Sequence, residues 1–399
     1  MPVLVIIVLL GWVSYGFSIL DVGPYSLTLI HASVLLLVTR LTFRSSYLWL
    51  WPLLSTLMAV IVSWFAAPEA RTLTNAAQQI LALVFAAGIF SIEWRKHLEL
   101  LTRALVAFAV PIVSYGGYQV IARYAHLPFA FLPVTNQQEF AEGGLQRGWE
   151  KDVITRASSI FVEPSEFGYF CVWLLAAGLA TERKGLRFTA VLLAAAGILF
   201  SQSLSAVIAA AILFLVYLCT RPIDWRIFRH VAILLAVASV CVTVFAFALP
   251  DVAETFSERI GHAMALDDRA DSDRVSEIPR AWKLFVDAPI TGSGLASLPR
   301  EDNAGAIAYA QLLVERGVVG TLLFLVPWAW VAIRSFLLPR GASGRTLAIL
   351  ISVLSLFSLS TFSAIYYLPF WFSLGVCASL ACRPCAMSRP SELPNPCQS

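Results

Sequence analysis

The chain has 399 residues, of which 59% are hydrophobic and 13% charged, with a formal net charge of +3. A soluble domain is nearer half apolar and a quarter charged, so a single water-facing core cannot absorb the excess and the chain has to meet lipid. The small net charge, with no basic run or aromatic nucleic-acid motif, sets nucleic-acid binding aside.

A helical span needs about 20 mostly apolar residues to cross about 30 Å of hydrocarbon. On that basis the predicted spans are 1–20, 24–39, 47–66, 75–92, 104–122, 161–180, 188–203, 204–219, 231–249, 317–334, 346–362 and 365–381. The first is read as a retained span, because Met1-Pro2-Val3 opens without the positive region of a signal peptide. The apolar stretch 188–219 is divided at its polar centre, Ser201-Gln202-Ser203-Leu204-Ser205. Backbone in lipid must satisfy its own hydrogen bonds, so the spans are expected to be helices. The predicted fold is an all-α, polytopic bundle of about twelve spans.

Two long segments separate the spans, about 123–160 and 250–316, the larger between spans 9 and 10. The expected organisation is therefore spans 1–5 in 1–122, an external loop in 123–160, spans 6–9 in 161–249, a large external loop in 250–316, and spans 10–12 with a short tail in 317–399. Basic residues of the short loops fall on one side: Arg40 and Arg44, Arg95 with Lys96 and Arg103, Arg183 with Lys184 and Arg187, then Arg221, Arg226 and Arg229, then Arg334, Arg340 and Arg345. The short loops of the other side carry only Arg71. Excess Lys and Arg marks the cytoplasmic side, which puts both termini inside and both long segments outside.

The cysteines are Cys171, Cys219, Cys241, Cys377, Cys382, Cys385 and Cys397, and none falls in a predicted external loop. No structural disulfide is expected. Cys382-Arg-Pro-Cys385 has metal-like spacing without a second pair, and no HExxH pair is present, so no metal and no cofactor are expected.

The strongest local signal is Arg156-Ala-Ser-Ser-Ile-Phe161-Val-Glu163-Pro164-Ser165-Glu166-Phe167-Gly168, where the first long loop enters a span. Ionisable groups at that depth are costly unless they face a wet cavity or a partner. Pro164 suits a first helical turn, and Glu163 and Glu166 then lie near the positive end of the helix dipole. The pattern fits either a polar pocket open to the outside or a capped helix start with an interfacial Arg–Glu pair.

In the larger loop, Asp271-Ser272-Asp273-Arg274 is followed by Ile278-Pro279-Arg280-Ala281-Trp282-Lys283-Leu284-Phe285, which reads as a short amphipathic helix with Trp282 at the membrane interface. Next comes Pro289-Ile-Thr-Gly292-Ser-Gly294, whose backbone N–H groups are candidates for cradling an anion. Guanidinium groups of Arg274 and Arg280 match phosphate oxygens. Asp267, Asp268, Asp271 and Asp273 remain an alternative cation site. A third group, Glu301-Asp302-Asn303 with Tyr309, Gln311, Glu315, Arg316, Gly317 and Gly320, leads into the next span. His126 and His262 are the external histidines.

These residues together resemble the O-antigen polymerase/ligase family of bacterial envelope glycosyltransferases. Arg156 with Phe161-Val-Glu163-Pro164-Ser165 matches the motif entering the middle span, and Ser201-Gln-Ser203-Leu-Ser205 matches the serine-rich turn. Ser272, Arg274, Pro289, Gly292 and Gly294 match the loop pattern, and Glu315, Gly317 and Gly320 match the closing Glu-x-Gly-x-x-Gly. The resemblance covers about 150–335. Ligases and many relatives carry a histidine eleven residues before the glycine of that closing pattern; here the position is Ala306, with Asp302 and Asn303 the nearest polar residues.

The resemblance implies a donor glycan on undecaprenyl diphosphate at the outer face of the bacterial inner membrane, joined to the next repeat unit by a polymerase of exopolysaccharide, capsule or O-antigen. Implied roles are Arg156, Arg274 and Arg280 on the diphosphate, and Glu163 or Glu166 as general base with Arg156 in the catalytic set. Ser165, Ser203, Trp282, Asn303 and Glu315 are expected to contact substrate. Implied partners are the lipid-linked oligosaccharide, the bilayer, a chain-length regulator and other envelope-assembly proteins. Ligase-type transfer and a flippase or transporter are the alternatives; against a transporter, no second half repeats the first.

Overall fold

A computed structural model of the chain describes residues 2–13, 18–22, 25–28, 34, 37, 46–66, 70–131, 156–161, 163–220, 272–295, 297, 308–361 and 368–382. The elements in order are α1 (Pro2–Val13), β1 (Ser18–Val22), β2 (Tyr25–Thr28), α2 (Ser46–Ala66), α3 (Ala70–Ser91), α4 (Trp94–Tyr124), α5 (Pro164–Ala180), α6 (Lys184–Ser201), α7 (Leu204–Thr220), α8 (Ser272–Asp287), α9 (Ala308–Leu337), α10 (Arg345–Thr361) and α11 (Leu368–Cys382).

Two helices form the centre. Every residue of α11 from Leu368 to Ala381 is buried, and nearly all of α5 is too. Helices in a bilayer gain little hydrophobic energy from each other, so close packing and interhelical hydrogen bonds must hold them. Ser373 of α11 supplies one such link: its Oγ accepts from Trp173 Nε1 at 2.8 Å and lies 2.9 Å from Tyr169 OH, both on α5. Small residues supply the rest. A Cβ on Gly178 would sit 2.7 Å from the Ala190 Cβ, and one on Gly375 would sit 2.6 Å from the Ile89 Cβ.

Around this pair, α5 packs on α4, α6, α7 and α10, α11 packs on α3, α9 and α10, and α9 packs on α2. The outer helices keep one apolar side uncovered. On α2 it comprises Leu50, Trp51, Leu54, Leu57, Ile61 and Trp64, all exposed. In water such a stripe would drive aggregation; against lipid tails it is the required surface.

Among the described residues, four helices are long and apolar enough to span a bilayer, within Leu48–Phe65, Trp94–Tyr124, Lys184–Ser201 and Ala308–Leu337. Asn75–Ser91, Leu204–Thr220, Arg345–Leu359 and Leu368–Cys382 are shorter apolar helices. The molecule is a helical, multi-pass membrane protein. Predicted runs from 47–66 to 204–219, and from 317–334 to 365–381, fall on helices, and the division of 188–219 falls where α6 ends and α7 begins.

The twelve-span count is not confirmed at the N-terminus. Of the run 1–20, α1 covers Pro2–Val13, and Ser18–Leu20 belong to β1, which pairs antiparallel with β2 in the register Val22↔Tyr25; of the run 24–39, Tyr25–Thr28 are strand, while Val34 and Leu37 are helical. Gly23 and Pro24 lie between the paired strands, and both residue types oppose helix. The run 231–249 lies outside the described residues.

One end of the bundle gathers basic turns. Arg183 and Arg103 both pair with Glu99, at 2.9 and 2.5 Å, and Arg95 Nη2 donates to Leu380 O at 2.6 Å. Arg345 Nε donates to Leu338 O at 2.8 Å, while a Cβ on the nearby Gly344 would sit 2.8 Å from Leu380.

Candidate functional site

At the opposite ends of α4, α5 and α6, the segment from Arg156 to Phe161 runs into the protein without forming a helix. Ala157, Ser158, Ser159 and Phe161 are buried. Irregular backbone at that depth survives only where protein satisfies it. Ala157 N donates to Phe200 O at 2.9 Å, at the end of α6. Ser159 N donates to Gln119 Oε1 at 2.6 Å, Gln119 Nε2 returns a bond to Ser159 O at 3.1 Å, and Ser159 Oγ reaches Ile112 O at 2.6 Å. Ser159 holds a left-handed φ of 53° to make this turn. Phe161 anchors the end of the segment against Phe167 and Phe170, with ring centroids 6.2 and 5.6 Å away.

That anchored segment delivers the polar residues. Arg123 Nη1 donates to the Arg156 carbonyl, and Arg123 is itself buried with its guanidinium 4.2 Å over the Phe131 ring. Arg156 is half-buried, its Nε 3.5 Å from Ser201 O. Glu163 is the N-cap residue of α5, in extended conformation, and Pro164 occupies the first turn as its missing N–H favours. Ser165 Oγ donates to Glu163 Oε2 at 2.9 Å, and Glu166 lies in the same turn.

Against the start of α5 stands the serine turn. Gln202 takes a φ of 46°, which ends α6 and starts α7 two residues later. Ser203 Oγ lies 2.9 Å from Ser205 Oγ. A Cβ on Gly168 would sit 2.7 Å from the Ala206 Cβ and 3.1 Å from the Ser203 Cβ, so that glycine lets α5 cross here. Arg156, Glu163, Ser165, Glu166 and Ser203 thus share one end of the bundle, while a narrow apolar cleft lined by Tyr169, Ser205, Ala209, Leu354 and Phe357 runs down between α5, α7 and α10.

The other motif residues form a second cluster. Gly317 interrupts α9 with φ 62° and ψ −171°, a conformation essentially confined to glycine. The loop 288–295 closes on that kink. Ser293 N donates to Val314 O at 2.8 Å, Gly294 N to Glu315 O at 3.1 Å, and Val318 N to Pro289 O at 2.8 Å. A Cβ on Gly292 would sit 2.6 Å from the Glu315 carbonyl carbon, and one on Gly317 2.5 Å from Gly292 N. The glycine turn is therefore not an open anion cradle. Gly292 N is spent on Ala288 O, and Leu295 N on Ser63 Oγ at 2.6 Å. The two glycine motifs fit each other, and their spacing serves a clasp.

Beside the clasp, Glu315 and Arg316 are both about 1% exposed. Gln311 Nε2 donates to Glu315 Oε1 at 3.1 Å, whereas Arg316 Nη1 donates to Ser55 Oγ at 2.7 Å and Arg316 Nη2 to Gln79 Oε1. Trp282 is exposed on α8. Positions 274 and 280 fall within that helix, which extends the predicted amphipathic stretch. Asn303, Ala306, His262 and the acidic group Asp267, Asp268 and Asp271 lie outside the described residues.

Sequence reasoning missed Gln119 and Arg123, taken as a span end and a loop start. Their i, i+4 spacing on one helix face was the available signal. Arg316 stood in the closing motif but was given no role.

The whole is a membrane-embedded helical scaffold with a polar, motif-bearing end. Residues 189–325 match the family described as O-antigen ligase. That stretch lies inside the one over which the sequence resembles the O-antigen polymerase/ligase family, and the match supports a membrane glycan-transfer function. No curated protein matches the chain.

Proposed function

We propose that this protein is a polysaccharide polymerase that joins oligosaccharide repeat units carried on undecaprenyl diphosphate, at the outer face of the bacterial inner membrane. The observation that carries the reading is the first cluster: a guanidinium, two carboxylates and a serine turn gathered at one end of the bundle. The basic turns lie at the other end, which the excess of Lys and Arg marks as cytoplasmic. On this reading both termini face the cytoplasm and the long loops face outward.

Diphosphate is a good leaving group, so the chemistry needs positioning, charge stabilisation and a base. Arg156, with Arg274 and Arg280 of α8, stabilises charge developing on the departing diphosphate. Glu163 or Glu166 accepts the proton of the attacking sugar hydroxyl. Ser165 and Ser203 orient the sugar, Asn303 contacts the glycan, and Trp282 meets the lipid-linked substrate where it leaves the bilayer; Glu315, about 1% exposed, holds the geometry of the clasp instead of touching the substrate. A chain-length regulator and other envelope-assembly proteins are the expected partners. A second reading, transfer of a finished glycan to another acceptor, is favoured by the matched family's description as O-antigen ligase.

The test is incubation of the reconstituted protein with defined undecaprenyl-diphosphate repeat units, followed by separation of the glycans. A ladder with released lipid diphosphate supports the polymerase. Transfer only onto an added acceptor favours the ligase. Movement of donor across the vesicle membrane without transfer overturns both in favour of a flippase.

A further inference from the structure

A strongly amphipathic helix stands where the large loop meets the bundle. Helix α8 has three flanks, because successive residues turn by about 100°. Ala281, Leu284 and Phe285 pack against Val314 and Ala310 of α9. Lys283 and Asp287 are exposed on another flank. Between these lie Trp282 and Val286, 62% and 55% exposed, and in the turn just past the helix end Ile290 is 66% exposed. Three large apolar side chains in a row, left uncovered on a loop rich in charge, call for an occupant.

The occupant follows from what the row adjoins. Val318 N and Val319 N donate to the carbonyls of Pro289 and Ile290, at 2.8 and 3.3 Å. That ties the row to the membrane-spanning part of α9 just past its kink at Gly317. From there the exposed apolar face of α9 proceeds through Val318, Leu322, Val326 and Ile333. A face of that kind on a spanning helix is covered by lipid, and Trp282, Val286 and Ile290 are joined to its start through these two hydrogen bonds. Trp is the residue enriched at bilayer interfaces, and a helix with one apolar and one charged flank lies in the interface plane.

We infer that α8 is an interfacial helix whose Trp282–Val286–Ile290 edge is seated in the headgroup–acyl boundary of the bilayer. The clasp at Gly292 and Gly317 fixes its depth relative to α9. Resting on the function proposed above, this holds positions 274 and 280 at the depth where a lipid-linked diphosphate lies.

The test uses the full chain in vesicles of phosphatidylethanolamine and phosphatidylglycerol that carry a trace lipid with a carbene-generating group near its glycerol. After illumination and digestion, adducts are mapped by mass spectrometry. The expected result is adducts at Val286 and Ile290 as well as at Leu322 of α9. Adducts at Leu322 with none on the peptide that follows Lys283 overturn the inference. Intermolecular cross-links of V286C or I290C variants with a short bis-maleimide, beyond those of the unmodified chain, also overturn it, because a second copy then covers the row. Donor turnover is measured on the same vesicles: labelling without turnover counts against the proposed function and leaves the seating of α8 standing.

Discussion

Gly317 carries a backbone conformation that no side chain tolerates well, and it does so where the Ile290 carbonyl presses on it. Gly317→Ala is expected to destabilise the protein by at least about 1–3 kcal/mol, read as a lowered unfolding midpoint in detergent. Gly185, in the first turns of α6, has open space around it. Gly185→Ala should leave the midpoint unchanged or raise it, in keeping with a gain of up to about 1 kcal/mol. Equal losses at both positions would show that the clasp has no special role. The charged residues call for a different readout. Arg156→Ala and Arg274→Ala are each expected to abolish glycan elongation while the protein stays at its normal level in the membrane. Glycan of unaltered length in both variants would remove these arginines from the mechanism.

At the scale of elements, α2 and α9 are joined to the glycine loop by side chains that would be unremarkable singly. Ser63 is the plainest case: its Oγ donates to Ala59 O at 2.8 Å and accepts the Leu295 N–H. Ser63→Ala orphans that buried N–H and is expected to cost about 1–3 kcal/mol. Hydrogen exchange checks it, since protection should fall at Leu295 and neighbouring amides and hold in α11. The helices themselves were legible in the sequence, because long apolar runs leave the backbone no alternative in lipid. So was the start of α5, where Glu163-Pro164 behaves as its residue types dictate. The clasp was not legible: Gly-x-Gly and Glu-x-Gly-x-x-Gly each look like a turn, and only their fit in space shows that each fills the other. The N-terminal hairpin was not legible either. Hydropathy counts apolar residues and gives little weight to Gly23-Pro24. Gln119 and Arg123 went unassigned because the chemistry of a site was sought in loops, while these two side chains reach it from a helix.

At the scale of the whole molecule, the two ends of the bundle differ in chemistry. Basic turns tied to Glu99 and to Leu380 lie at one end, and the Arg156–Glu163–Ser203 cluster at the other. Sidedness is therefore testable with two exposed positions. In intact cells His126→Cys should react with a membrane-impermeant thiol reagent, and Gly341→Cys only with a permeant one, each measured against the unmodified chain. Reaction of both with the impermeant reagent would reverse or scramble the topology. The buried Arg316 also bears on how the protein is made. Its partners Ser55 and Gln79 precede it by 261 and 237 residues. On the ribosome they enter the membrane long before Arg316 exists, with Thr56 Oγ1, 3.2 Å from Gln79 Oε1, as company for the wait. The biosynthetic order thus leaves α2 and α3 as an unfinished polar pair until α9 is inserted, so that maturation is completed by a late helix returning to an early one.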